Sequence, residues 1–265
     1  MTVDALRMLT CGLLFMVACG GSTAGPDAPG TTGIPGHTPG MPGLGAHGLS
    51  YYGVGESTAS SIATPSLTTQ ATGSTIIVGI GRGNSALFVP ASAPTDNKGN
   101  GAYPQQGQTE AYAHPNEFSG TALYVRTAAK GGAGFAISTT TGKTTDGNSD
   151  EVTLAAVEVI EGTRIADYSW NEVLQAQTPV PVTSNSVTTT GPATLIAFWW
   201  GDLTATVDQT VKVNNGFVVV DSILKPGSVL QGAVAVRNAP TAGTYNVTWD
   251  ATPIQGAQLW LIAVQ

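Results

Sequence analysis

The chain has 265 residues, with 10 Lys and Arg against 17 Asp and Glu, a formal charge of -7 and only 10% charged residues. So sparse and acidic a composition, with its positive residues scattered, excludes nucleic acid as a partner. Helix formers such as Lys, Glu and Leu are scarce beside Ser, Thr, Gly and Val, and 2 Cys are too few for a stapled scaffold, which excludes a helical bundle and points to strands and turns.

Arg7 is followed by an apolar run from Met8 to Ala18, and Ala18 precedes Cys19. A positive residue, an apolar stretch and a small residue before the cut form a secretory signal over residues 1–18. The run falls short of the roughly 20 residues that a spanning helix requires. Met16-Val17-Ala18-Cys19 resembles the bacterial lipoprotein lipobox, with Met16 where Leu is usual. The resemblance implies that Cys19 receives a diacylglycerol thioether and becomes an acylated N-terminus, so that the partner is a membrane reached through a lipid anchor. Two or three acyl chains hold such a protein stably. Gly20 in place of Asp at the second mature position points to the outer membrane of a two-membrane cell envelope. Cys11 leaves with the signal, so the body contains no cysteine and must rest on a packed core.

After Cys19, Gly and Pro recur through Gly25-Pro26, Pro29-Gly30, Pro35-Gly36, Pro39-Gly40 and Pro42-Gly43 with few large apolar side chains. A segment that buries so little surface cannot offset its ordering entropy, so residues 19–48 are expected to be a disordered tether. The glycine spacing breaks the three-residue period of collagen. His37 and His47 fall in this tether and are expected to be solvated, without ligand partners.

Residues 49–265 are long enough for one domain with a sizeable core. Strands are expected at 74–82, 86–89, 120–127, 133–139, 151–160, 180–189, 193–200, 204–213, 216–224, 228–237, 243–250 and 256–264, with a short helical turn near Trp170–Leu174. Tyr245, Val247 and Trp249 alternate with Asn246, Thr248 and Asp250, the period of a half-buried strand. Thr194–Trp200 and Val152–Ile160 are apolar on both faces and read as central strands. The expected fold is all-β, a two-sheet antiparallel jelly-roll-like β-sandwich that is monomeric and has no evident tandem repeat.

Pro94 to Asn100 with Tyr103 behind it, then Ala111-Tyr112-Ala113-His114-Pro115-Asn116, Ala122 to Val125, and Ala155 to Gly162 followed by Asp167 form an ordered set of motifs. Together they resemble bacterial and phage surface modules that carry a D-S-x-G-N turn, an aromatic-Ala-x-x-Asn strand end and a V-x-E-x-x-G strand. The resemblance implies a jelly-roll sandwich and lends no activity.

Three chemistries are open on the residues themselves. Trp199 and Trp200 are adjacent on a strand and point to opposite faces, so one of them could leave the core; with Asp202 and Trp170 they are the candidate ligand-binding residues, for glycan or another envelope component. Asp146, Asn148 and Asp150 place oxygen ligands at alternate positions, a candidate calcium turn that lacks the remainder of an EF-hand, with Asp96, Asn97 and Asn100 as a weaker second. Glu158 interrupts an apolar strand and is the best candidate for carboxylate catalysis on a polysaccharide, whereas His114, between Glu110 and Glu117, has no second His or Cys to complete a zinc set. No nucleophile, base and orienting partner occur together, so a binding or interaction module ranks first, a structural envelope protein without ligand second and an enzyme last.

Overall fold

In the computed structural model the described residues are 38–58, 60–85, 93–114, 117–144, 146–174, 181–202, 210–224, 230–252 and 255–265, and every regular element among them is a strand. The first half of the body runs β1 (Gly43–Tyr52), β2 (Ser61–Ala63), β3 (Leu67–Thr68), β4 (Thr72–Ser85), β5 (Thr95–Asp96), β6 (Gln105–His114), β7 (Glu117–Lys130), β8 (Ala133–Phe135), β9 (Ile137–Thr140) and β10 (Glu151–Ile160). The second runs β11 (Ile165–Val173), β12 (Val182–Thr183), β13 (Val187–Thr189), β14 (Ala193–Asp202), β15 (Thr210–Val213), β16 (Val218–Ile223), β17 (Leu230–Ala239), β18 (Gly243–Tyr245), β19 (Thr248–Thr252) and β20 (Gly256–Val264).

The first half forms a five-stranded sheet in the order β1-β10-β4-β7-β6 with small sheets β2-β9-β5 and β3-β8; the second forms β11-β20-β14-β17-β16 with β12-β19-β15 and β13-β18. Adding ten to each strand number of the first set gives the second. All pairs are antiparallel, and the first strand of each half lies beside its last, the jelly-roll arrangement. The expected sandwich is therefore present twice, and the internal repeat that the sequence does not advertise is a repeat of topology.

The equivalence extends to single residues. Ile76 pairs with both Glu158 and Arg126, and Leu195 pairs with both Ala263 and Arg237; the rungs that follow keep the same offset as far as Arg82 with Gly120 and Gly201 with Gln231. This register aligns Ala122-Leu123-Tyr124-Val125-Arg126-Thr127-Ala128 with Ala233-Val234-Ala235-Val236-Arg237-Asn238-Ala239, a stretch where the repeat is also legible in sequence, as it is between Thr75-Ile76-Ile77 and Thr194-Leu195-Ile196. Both arginines do the same work. Arg126 donates to the carbonyl of Ala102 and lies over the Tyr103 ring at 5.6 Å, and Arg237 donates to the carbonyl of Asn215 and lies over the Tyr245 ring at 4.8 Å.

The two large sheets pack face to face. The seam between them is filled from the first half by Leu49, Ile77, Leu123, Val125, Ala155, Val157 and Val159, and from the second by Ile196, Phe198, Trp200, Val234, Val236, Trp260 and Ile262. The outer face of each large sheet is closed by its own small sheets: Ile62, Tyr103, Phe135 and Ile137 cover Ile76, Val78 and Ile80, while Val182, Val187, Val247 and Trp249 cover Leu195, Ala197 and Trp199. With both faces covered, β4, β10, β14 and β20 carry buried apolar side chains on both faces, as in Ile76–Val78, Leu154–Val157, Leu195–Trp200 and Leu259–Val264.

A pseudo-two-fold axis runs through the seam along the strands. A Cβ on Gly79 would come within 2.7 Å of the Phe198 ring, a Cβ on Gly81 would overlap the Trp200 ring, and by register Gly79 is equivalent to Phe198 and Gly81 to Trp200. Each position thus faces its own counterpart, as residues on a dyad do. Off the axis the contacts come in swapped pairs: Thr121 meets Gln258, and Thr153 meets Gly232, where Thr121 is equivalent to Gly232 and Thr153 to Gln258. This is the isologous pattern of a two-fold interface, built within one chain.

Two expectations need correction here. The tether does not extend to residue 48: β1 begins at Gly43 and pairs along β10, with Leu44 packed on the seam core. Glycine and proline composition concealed an edge strand whose Leu44, Leu49 and Tyr51 face the seam and whose Tyr52 packs with the outer layer. Trp170–Leu174 is no helical turn either, because Ile165–Val173 is β11, held along β20.

Candidate functional site

Trp199 and Trp200 do point to opposite faces of their sheet, and both faces are covered. Trp200 is 0% exposed in the seam, edge-on to Tyr112 with ring centroids 5.4 Å apart; Trp199 is 1% exposed in the outer layer, stacked on Trp249 at 5.7 Å. Neither is a ligand platform. The sequence argument assumed one free face, and the small sheets remove it. Trp170 is half-buried against the seam. Asp202 pairs through its backbone with Leu230 and Gly256; its side chain lies outside what is described, as does that of His114. Cys19 also lies outside the described residues.

Glu158 is buried and its oxygens are occupied. The backbone N–H of Ala46 donates to Oε2 at 2.9 Å, and the N–H of Gln70 (2.7 Å) and the hydroxyl of Ser74 (2.6 Å) donate to Oε1. Ala46 lies in the bulge between Leu44 and His47, where glycine at position 45 leaves room for the carboxylate. Glu158 therefore fastens β1 to the sheet.

The calcium turn does not converge. Asp150 points inward at 0% exposure, where Oδ2 receives Arg82 Nε at 2.6 Å and Oδ1 receives the N–H of Gly142 at 2.7 Å, while Asp146 and Asn148 stay at the surface. Alternate positions share a cation only when all their oxygens face one point, and here a buried arginine claims the carboxylate of the third residue, Asp150. Among the described residues no three His, Cys, Asp or Glu side chains are grouped to hold a metal. The second turn is also self-satisfied: Asp96 accepts from the N–H of Lys98, the amide of Asn100 and the hydroxyl of Tyr103. Burial pushes its carboxyl up, and these bonds outweigh that and hold it below the usual range.

What the fold brings together instead lies along the two edges of the seam. At one edge His47 Nδ1 lies 2.8 Å from Asp221 Oδ2, joining β1 to β16 of the other half. By register the equivalent of His47 is Tyr168 on β11, and the equivalent of Asp221 is Gln106 on β6. There the contact differs. The register shift between Gln106 and Glu110 lifts Gly107, Gln108 and Thr109 out of the ladder, and the ring of Tyr168 rests on Gly107, which has φ +73°.

Further along this edge Glu110 and Glu172 approach each other. Gln258 Nε2 donates to the carbonyl of Glu110 and to Oε2 of Glu172, each at 3.3 Å, and its Oε1 accepts from the hydroxyl of Thr121, which in turn accepts from Trp260 Nε1. Burial raises the Glu110 carboxyl, Gln108 lowers it through a hydrogen bond, and the charge of Glu172 raises it further; the net direction is upward. Sequence reasoning missed this group because Glu110 and Glu172 are far apart in the chain and meet only through the packing of the halves. The sole sequence signal was Glu110 beside Tyr112.

Comparison with family models, curated proteins and solved structures finds no match to this chain.

Proposed function

We propose that this is a lipid-anchored protein of the bacterial cell envelope, seated through Cys19 in the outer membrane, whose double jelly roll acts as a binding module for glycan or another envelope component. Binding is favoured over catalysis by the use made of Glu158: the carboxylate best placed in sequence for acid chemistry spends its oxygens on Ala46, Gln70 and Ser74. Presentation is favoured by where the chain enters. Thr38-Pro39-Gly40-Met41 closes a turn through Met41 N–H to Thr38 O at 3.0 Å, and the N–H of Gly40 donates to Glu161, the residue that ends the first half. The C-terminus is at the same end, because the carbonyl of Gln265 accepts from Thr163 and Arg164. A tether entering there leaves the opposite end, where β6 turns into β7, directed away from its attachment.

Detergent phase separation with fatty-acid labelling tests the anchor. Wild type should partition with detergent and carry label, and Cys19→Ala should lose the label. An unlabelled, fully soluble wild type would defeat the proposal.

A further inference from the structure

The two seam edges are equivalent by register, and only one of them is sealed. His47 and Asp221 close the β1–β16 edge with a 2.8 Å bond. At the β6–β11 edge the position of Asp221 is taken by Gln106, where the longer bulge of β6 begins, and Gly107 lies against the Cε2–OH edge of Tyr168, so that a Cβ there would sit 2.9 Å from Cε2. Tyr168, 39% exposed, is the one exposed aromatic among the described residues.

Resting on the reading of the module as a binder, we propose that the β6–β11 edge is a saccharide-binding site with Tyr168 as its platform. A sugar offers a face of C–H groups and a rim of hydroxyls, so its binding site needs an aromatic ring beside hydrogen-bonding side chains. Both are present. Tyr168, Trp170 and Glu172 alternate along β11 and so project on one side, a strip of about 13 Å at the usual strand rise. Gln108 and Glu110 face the far end of that strip from β6. Carboxylates accept hydroxyl hydrogens in charge-assisted bonds, and their negative charge disfavours phosphate, sulfate and uronate groups, so the ligand class is a neutral oligosaccharide.

The test is an array of neutral and anionic oligosaccharides probed with the full-length protein in detergent micelles, followed by titration of the best neutral hit. Wild type should bind neutral chains. Tyr168→Ala should weaken binding at least tenfold with an unchanged melt, Tyr168→Trp should retain it, and Glu172→Gln should weaken it severalfold. Asp221→Ala, at the equivalent sealed edge, should leave affinity unchanged. Absence of any neutral hit, or equal binding by Tyr168→Ala and Glu172→Gln, overturns the site. Equal binding by those variants with a positive wild type removes this site while leaving the binding module; loss of fatty-acid label with intact Tyr168-dependent binding removes the anchor and leaves the site.

Discussion

The pairing of Gly81 with Trp200 can be tested by a double-mutant cycle. Trp200 is fully buried, and an aromatic ring of its size buries roughly 150–250 Å², or about 4–6 kcal/mol at 25 cal/mol per Å². Trp200→Ala should therefore cost about 3–5 kcal/mol, the usual range for such truncations. Gly81→Ala adds a Cβ that overlaps the indole, and overpacking of this kind costs about 1–3 kcal/mol. Once the indole is gone, the same methyl enters empty space, and alanine is favoured over glycine in a strand by about 0.5–1 kcal/mol. The coupling is the difference, about 1.5–4 kcal/mol, with Gly81→Ala changing sign between backgrounds. Urea unfolding of the four proteins, produced from Gly20 onward, measures it. If Gly81→Ala has the same effect in both backgrounds, the two residues do not oppose each other and the pseudo-dyad is misplaced.

Two further outcomes follow from the buried and half-buried carboxylates. Glu158→Ala strands three donors at Ala46, Gln70 and Ser74, and at about 1–3 kcal/mol for each unsatisfied group, partly relieved by water, it should cost about 3 kcal/mol or more and expose the β1 amides first in hydrogen exchange. Unaltered β1 protection would contradict the latch. Glu110 binds its proton more tightly in the folded state than in the unfolded chain, since its carboxyl is raised. As pH climbs through the ordinary carboxylate range the unfolded state ionises first, so this group's contribution to stability falls until Glu110 ionises in the folded protein as well. Glu110→Gln should therefore melt above wild type at neutral pH, with the gap closing in acid; thermal melts across pH check the sign.

Much of the fold was legible because burial on both faces leaves a mark. Thr194–Trp200 and Val152–Ile160 read as central strands, and both lie inside five-stranded sheets. The failures share a physical cause. β1 was hidden because its long-range partners, Glu158 and Asp221, supply what its own Gly-rich sequence lacks. On the dyad the repeat is partly hidden because the seam is filled there by large against small residues, Phe198 opposite Gly79 and Trp200 opposite Gly81, whereas the equivalent Ile77 and Ile196 remain identical. Divergence of Gly79 from Phe198 and of Gly81 from Trp200 removes sequence identity at those positions.

That divergence bears on the candidate site as well. At Gly79/Phe198 and Gly81/Trp200 the large residue comes from the second half and the small one from the first, so neither half can replace the other there, and the two edges are free to differ. One edge carries a hydrogen bond that joins β1 to the opposite half. The other carries an enlarged bulge, an exposed tyrosine and two carboxylates, of which Glu110 is raised by burial and further by the charge of Glu172. A purely structural edge would gain from a second copy of the sealed arrangement, because like charges at a packing interface are a cost. Retaining the costly, open version beside an available sealed one is the pattern expected where local stability is exchanged for a ligand.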